Sequence, residues 1–329
     1  MFLPQTFGQA LILTILSAVF WGSWANSYKG TKSYPFALFY WDYIFGFLLC
    51  AVAIALTLGS HGIAGEPFLA NLATAEGSNL VFALMAGVVF NIANVLLVAA
   101  LDIAGLSIAF PIAIGIAVVE GVVVSYALQP KGSLPFLAGG LVLALCAVIL
   151  NARAYASIGG AAACGNKPKR SGVGISIVSG LLMGVFAPLV TRALTYGHAM
   201  TPYSVSVLFA VGALLCCIIF NTYLMRRPIE GPVVSFREYA QAGSRNHLLG
   251  IIGGIAWGFG GCFNFIAAGY VGVPISYAIG QSAPLIAAAW GVFVWREFSG
   301  APRQAWTMLG LMAACYLAAI GLIALAYHG

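Results

Sequence analysis

Ten uninterrupted apolar runs, each about two dozen residues long, leave this chain few ways to fold, since a helix needs about 20 mainly apolar residues to cross a bilayer. The runs lie at Phe7 to Tyr28, Pro35 to Leu58, Asn79 to Leu101, Ala104 to Ala127, Leu134 to Asn151, Val173 to Tyr196, Pro202 to Leu224, Leu248 to Ala268, Val273 to Trp295 and Ala305 to Ala326. They are continuously apolar, so the alternation of an outer-membrane barrel is absent and an all-α polytopic membrane protein is expected. With 62% hydrophobic and 7% charged residues, a soluble domain with a single core is excluded. The first run lacks a basic n-region, is too long for a signal-peptide core and ends in aromatic residues, so it is expected to stay in the protein.

The ninth run is the least ordinary. From Gly258 to Gly291 two spans are joined by almost no loop, and they carry Asn264, Gln281, a glycine cluster and two prolines where lipid favours Leu and Val. Backbone and amide groups find no partner in hydrocarbon, so polar or broken helix at that depth is expected where it lines a watery path. Asn264 and Gln281 are therefore candidate solute contacts. Asn91 and Asn94, three residues apart near the middle of the third run, share a helix face and add two amides; an interhelical hydrogen bond is the plainer role for them. Trp21 and Trp24 share a face of the first run, and Trp257 lies too deep for an interfacial belt; all three rings either stack on a sugar face or planar heterocycle or pack the core. Such a set suits a small neutral polar solute rather than a cation, which calls for fixed negative charge.

Few ionisable residues lie inside the runs, where a charge costs roughly 3 kcal/mol or more. Glu120 is the deepest, and it reads either as a proton-coupling site or as a neutral acid bonded to helix backbone. Asp42, flanked by Tyr40, Trp41 and Tyr43, is a second coupling candidate, with anchoring to Lys29 or Lys32 as the structural alternative. Arg192, four residues from the end of its run, is placed to snorkel.

Positive charge is partitioned rather than spread. Of the basic residues, 12 fall in odd-numbered loops (Lys29, Lys32; Arg153, Lys167, Lys169, Arg170; Arg226, Arg227, Arg237, Arg245; Arg296, Arg303) and two, Lys131 and Arg192, on the opposite face. The net charge of +6 thus reports topology, not nucleic-acid binding. It puts both termini outside the cytoplasm, in the plasma membrane, here a bacterial inner membrane. Of seven cysteines only Cys164 falls outside a run, and their spacing suggests neither disulfides nor a metal. No cofactor is expected beyond a coupling proton, and the partners are lipid and solute; monomer and homodimer are both left open.

Aligned, the runs fall into two halves. Ser17-Ala-Val-Phe-Trp-Gly22 resembles Ser179-Gly-Leu-Leu-Met-Gly184, Gly46-Phe-Leu-Leu-Cys50 resembles Gly212-Ala-Leu-Leu-Cys216, and the turn at Gly105 matches that at Gly272, with an offset near 165 residues. Five spans per copy is odd, so the copies enter the membrane from opposite sides, as in alternating-access carriers. The expected division is a first repeat over 1–152, a basic Gly-rich cytoplasmic linker over 153–171 and a second repeat over 172–329.

Gly22-Ser-Trp24, Tyr40-Trp-Asp42-Tyr43, Gly87-Val-Val, Asn94, Gly105-Leu-Ser, Gly258-Phe-Gly260, Gln281-Ser-Ala-Pro284-Leu and Trp290-Gly occur in an order and spacing that resemble the ureide permeases. These form a branch of the drug/metabolite transporter superfamily beside bacterial glucose/ribose and rhamnose carriers. The resemblance covers all ten runs and implies secondary uptake, often proton-coupled, of a ureide, nucleobase or monosaccharide. Three departures stand out: Glu120 replaces an apolar residue, Asn264 replaces a Gln, and Pro111 in Ala109-Phe-Pro-Ile resembles the sugar carriers. An exporter of the same superfamily is the alternative, which the acid at Glu120 keeps open. An intramembrane enzyme is not expected, because no HExxH or Gly-Asp pair is present and all four histidines lie at or beyond run ends.

Overall fold

The computed structural model describes residues 1–62, 64–158 and 170–328. Among them are ten helices long and apolar enough to cross a membrane: α1 (Phe7–Lys29), α2 (Phe36–Leu56), α3 (Gly77–Ala104), α4 (Leu106–Leu128), α5 (Leu134–Ile158), α6 (Arg170–Thr195), α7 (Pro202–Arg226), α8 (Ser244–Val271), α9 (Val273–Val294) and α10 (Arg303–Ala326). The chain is an integral membrane protein. Thr6 caps α1 by accepting from Gln9, and Thr201 caps α7 ahead of Pro202, whose missing N–H is no loss in a first turn. The connections after α2 and α7 carry short helices, Phe68–Thr74 and Phe236–Gln241, among their described residues.

The expected run ends hold within a few residues except at the linker. Helix α5 continues past Asn151 through Arg153 to Ile158, and α6 begins at Arg170. Arg153 closes the apolar window, yet Ala152, Ala154 and Ala156 are good helix formers and carry the helix onward. The rest of that stretch, with Cys164, Lys167 and Lys169, lies outside the described residues.

Packing is set by glycine. Helix α8 lies between α1 and α2, α3 lies between α6 and α7, and α5 pairs with α10. A Cβ at Gly87 would strike the Phe209 carbonyl of α7, one at Gly212 the Leu84 carbonyl of α3, one at Gly46 the Ile251 carbonyl of α8, and one at Gly254 the Tyr43 carbonyl of α2. Backbones can touch at these seams only because nothing projects from them, the way helices associate where lipid gives no hydrophobic drive.

The two faces of the bundle differ. At the even-loop face the first half of α9 closes onto α4 and α6, where the Tyr277 hydroxyl donates to the Ala117 carbonyl at 3.4 Å and its ring meets Phe186 at 5.5 Å. At the odd-loop face two cavities flank α1. One of about 430 Å³ is walled by Tyr28, Phe36, Val98, Asp102, Asn221 and Glu230, the other, of about 230 Å³, by Asn26, Lys29, Phe110, Asn151, Tyr155 and Glu297.

Candidate functional site

Helix α9 is not continuous. It runs from Val273 to Gly280, turns at Gln281 and Ser282, resumes at Ala283 and ends in a π-helical turn over Trp290–Val294. Pro284 has no N–H to give the Gly280 carbonyl, so the ladder is interrupted beside the amide of Gln281. Gln281 is half-buried at this break; its backbone N–H donates to the Tyr277 carbonyl at 3.0 Å, and its side-chain amide meets no protein partner among the described residues.

The break faces Trp21. A Cβ at Gly280 would stand 2.7 Å from Trp21 Cζ3 and 2.8 Å from Asn264 Nδ2, and one at Gly260 would stand 2.5 Å from Trp21 Cδ1, so two glycines make room for one indole. Trp21 stacks on Trp257 with centroids 5.7 Å apart. Behind it, Trp257 is held by Phe90 at 4.4 Å and Phe47 at 4.7 Å. The buried Trp21 Nε1 has no partner, while Asn264 Nδ2 donates to the Ser276 carbonyl at 2.8 Å and ties α8 to the broken helix.

From there an aromatic ladder descends toward the odd-loop face. Trp24 meets Tyr43 at 5.1 Å, Tyr43 meets Tyr40 at 5.3 Å, Tyr40 meets Phe36 at 5.3 Å and Phe36 meets Tyr28 at 5.3 Å, at the wall of the larger cavity. Asn94 Nδ2 donates to the Tyr40 hydroxyl at 3.3 Å, and the Tyr43 hydroxyl is buried without a partner. An unsatisfied buried polar group costs about 1–3 kcal/mol, which a ligand bringing the missing partner recovers.

The structure therefore brings together Trp21, Trp257, Asn264 and Gln281 around the break, with Trp24 and Asn94 one step along the ladder. Three candidates stand apart. Asn91 lies in the α3–α7 seam beside the Cys216 thiol, fully buried, with neither amide atom completing a hydrogen bond. Glu120 lies over Gly184 where α4 meets α6, at the edge of a lipid-facing groove with Val123, Leu145 and Leu181, and its Oε2 has no partner. Asp42 sits at the odd-loop end of α2, bound neither to Lys29, which pairs with Glu297, nor to Lys32. Its partners are the Tyr34 hydroxyl at 2.7 Å, the Tyr239 hydroxyl at 2.6 Å and His247 Nδ1 at 3.0 Å. Burial, and after it the bond to Asp42, pushes both phenols above their ordinary range, so they remain donors and Asp42 an acceptor. Arg192 lies over the Tyr196 ring at 4.0 Å and donates to Asn79, as a snorkelling side chain does.

The ladder tyrosines, and the distant partners of Asp42, escaped the sequence reading. Tyr40 and Tyr43 flank Asp42 in a motif whose acid drew the attention, and nothing local links Tyr34, Tyr239 and His247 to it.

At mid-bundle the chain thus combines a broken half-helix, an indole stack and orphaned polar groups. A sequence model of the ureide permeases matches residues 39–169 and 160–326. The chain belongs to the ureide permease family. Ureide permease 1 of Arabidopsis thaliana is 23% identical over 98% of this chain and 98% of its own length, and ureide permease 2 of the same plant is 23% identical over 86% of this chain and 88% of its own. A chain of known crystal structure superposes with a TM-score of 0.66 at 16% identity, covering 98% of both, which shows the fold. This ureide permease homologue is accordingly a transmembrane transport protein.

Proposed function

We propose that the chain is a secondary active transporter that takes up a small neutral solute of the ureide or nucleobase type by alternating access, coupled to protons. The observation that carries this reading is the Trp21–Trp257 stack beside the α9 break: an indole ready for a flat heterocycle, with Gln281 and Asn264 supplying amides for its carbonyl and N–H groups. The names of the plant relatives support ureides over monosaccharides. Two inverted halves are supported by the glycine seams, because Gly87 on α7 and Gly254 on α2 are one contact written twice, as are Gly46 on α8 and Gly212 on α3. With the basic odd-numbered loops in the cytoplasm, the closed even-loop face is extracytoplasmic and the cavities beside α1 open inward.

Purified protein is screened by thermal shift against ureides, nucleobases, nucleosides and sugars, then reconstituted for uptake of whichever solute stabilises it. At about 100 times its dissociation constant a ligand adds about 2.7 kcal/mol, a readily seen shift. Asn94→Leu and Gln281→Leu are expected to abolish uptake with expression intact, since a lost amide strands its solute partner. Unchanged kinetics in both variants would move the site elsewhere.

A further inference from the structure

Loop 4, between α4 and α5, holds the apex of the α8–α9 hairpin at the even-loop face. Lys131 Nζ takes the Tyr270 carbonyl at the end of α8, and Gln129 Oε1 accepts from the N–H of Val273, the first residue of α9, at 3.2 Å. Both side chains lie over Gly272, each 3.1–3.2 Å from where its Cβ would stand. The groups they satisfy are those that helix ends leave unpaired, and the ammonium stands at the negative end of α8.

The α3–α4 hairpin is built alike. Its apex Gly105 has φ 78° and ψ 158°, against 90° and 152° at Gly272, 167 residues later (272 − 105). The same step takes Pro135 to Pro302 and Gln129 to Arg296, so loop 9 is the counterpart of loop 4. Yet among the described residues nothing stands within 4 Å of a Cβ at Gly105. Arg296 is exposed, in the left-handed region at φ 53°. Beside the bare apex Asp102 is exposed on the wall of the larger cavity, with Glu230 near it and no Lys or Arg among the described wall residues.

We propose that Arg296 closes the odd-loop mouth, swinging with loop 9 onto the α3–α4 apex to pair with Asp102 and the last carbonyls of α3. This rests on the transporter reading through its inverted halves. Arg296 acts on the balance between the two faces and touches no solute, so its loss lowers turnover and changes apparent solute affinity only as far as the solute itself prefers one face.

The test reports on the minor state directly. Ile275, fully buried under the even-loop closure, is replaced by Cys, and its labelling by a membrane-impermeant maleimide from the even-loop side is timed against the parent's native cysteines. Only molecules closed at the odd-loop face react, so the rate follows their population. Asp102→Arg and Arg296→Asp are each expected to slow labelling roughly fivefold, the most an exposed ion pair of about 1 kcal/mol confers. The double exchange restores the rate, and Arg296→Lys, which keeps the charge, stays near it. Equal labelling in all these proteins, labelling absent from all, or a double exchange as slow as the single variants overturns the proposal. Because no solute is needed, a protein that labels as expected but transports nothing keeps the Arg296 closure and loses the transporter reading.

Discussion

Gly280→Ala puts the proposed solute site under a measured load. The added Cβ stands 2.7 Å from Trp21 Cζ3 and 2.8 Å from Asn264 Nδ2. Carbon contacts settle near 3.5–4.0 Å, so one or both neighbours must retreat by roughly 0.7 Å or more. Asn264 is anchored to the Ser276 carbonyl at 2.8 Å, whereas Trp21 is half-buried and its ring nitrogen is tied to nothing. The indole yields, and it yields into the site. Overpacking of this kind costs about 1–3 kcal/mol. Drawn from solute binding at about 1.4 kcal/mol per factor of ten, that weakens affinity roughly 5- to 150-fold. Calorimetric titration with the solute found by the screen measures it, and thermal unfolding without solute is the control. Gly254→Ala gives the contrast: its Cβ meets the Tyr43 backbone on α2, which cannot step aside, so that variant loses stability before it loses affinity. Gly280→Ala with parental affinity and a normal melting temperature would refute the reasoning. So would a loss of stability equal to that of Gly254→Ala, since the strain would then be held in the fold.

Asp42→Leu strands two phenols and an imidazole that converge on one buried carboxylate, so a loss of about 1–3 kcal/mol is expected, read as a clear drop in melting temperature, with Asp42→Asn milder because it keeps an acceptor. A Leu variant as stable as the parent would make the cluster ornamental. Glu120→Gln mimics the protonated acid; on the proposed coupling, proteoliposomes exchange solute but no longer concentrate it in response to a proton gradient, and retained accumulation would make Glu120 structural.

The ten helices were legible because hydrocarbon thickness imposes a length and a composition that any window detects. The break in α9 was legible too, since Gln281 and Pro284 contradict their surroundings. What escaped is whatever depends on contact across helices. Asn91 and Asn94 share a face by spacing, yet α3 turns one toward Cys216 of α7 and the other toward Tyr40 of α2, and three residues on a helix turn far enough to face different neighbours. Asp42 has no basic neighbour near it in sequence except Lys29 and Lys32, so sequence alone offers it a lysine as partner. Its actual partners come from loop 1, from the helix Phe236–Gln241 and from the start of α8, as far as 205 residues away. Helix α5 outran its apolar window because the membrane ends an apolar run but does not end a helix.

The distance between Glu120 and the amides changes what a coupling role must mean. Glu120 stands on α4 over Gly184 of α6, beside lipid-facing side chains, while the proposed solute path runs along α1, α2, α3, α8 and α9. A proton there cannot act on solute by touching it. What α4 shares with the path is the first half of α9: Tyr277 donates to the Ala117 carbonyl, one turn before Glu120, and its ring lies where a Cβ of Gly121 would be, 2.5 Å away. That contact belongs to the even-loop face, and on the proposed alternating access it must part when the mouth changes sides. A charge appearing or vanishing at Glu120 is thus placed to shift how α4 seats on α6, and with it the surface on which Tyr277 closes. Solute bound at Gln281 pulls on the other end of the same half-helix. Two ligands that bias one closure from opposite ends alter each other's affinity by equal factors, so on the proposed coupling solute changes the proton affinity of Glu120 as much as the proton changes that of solute.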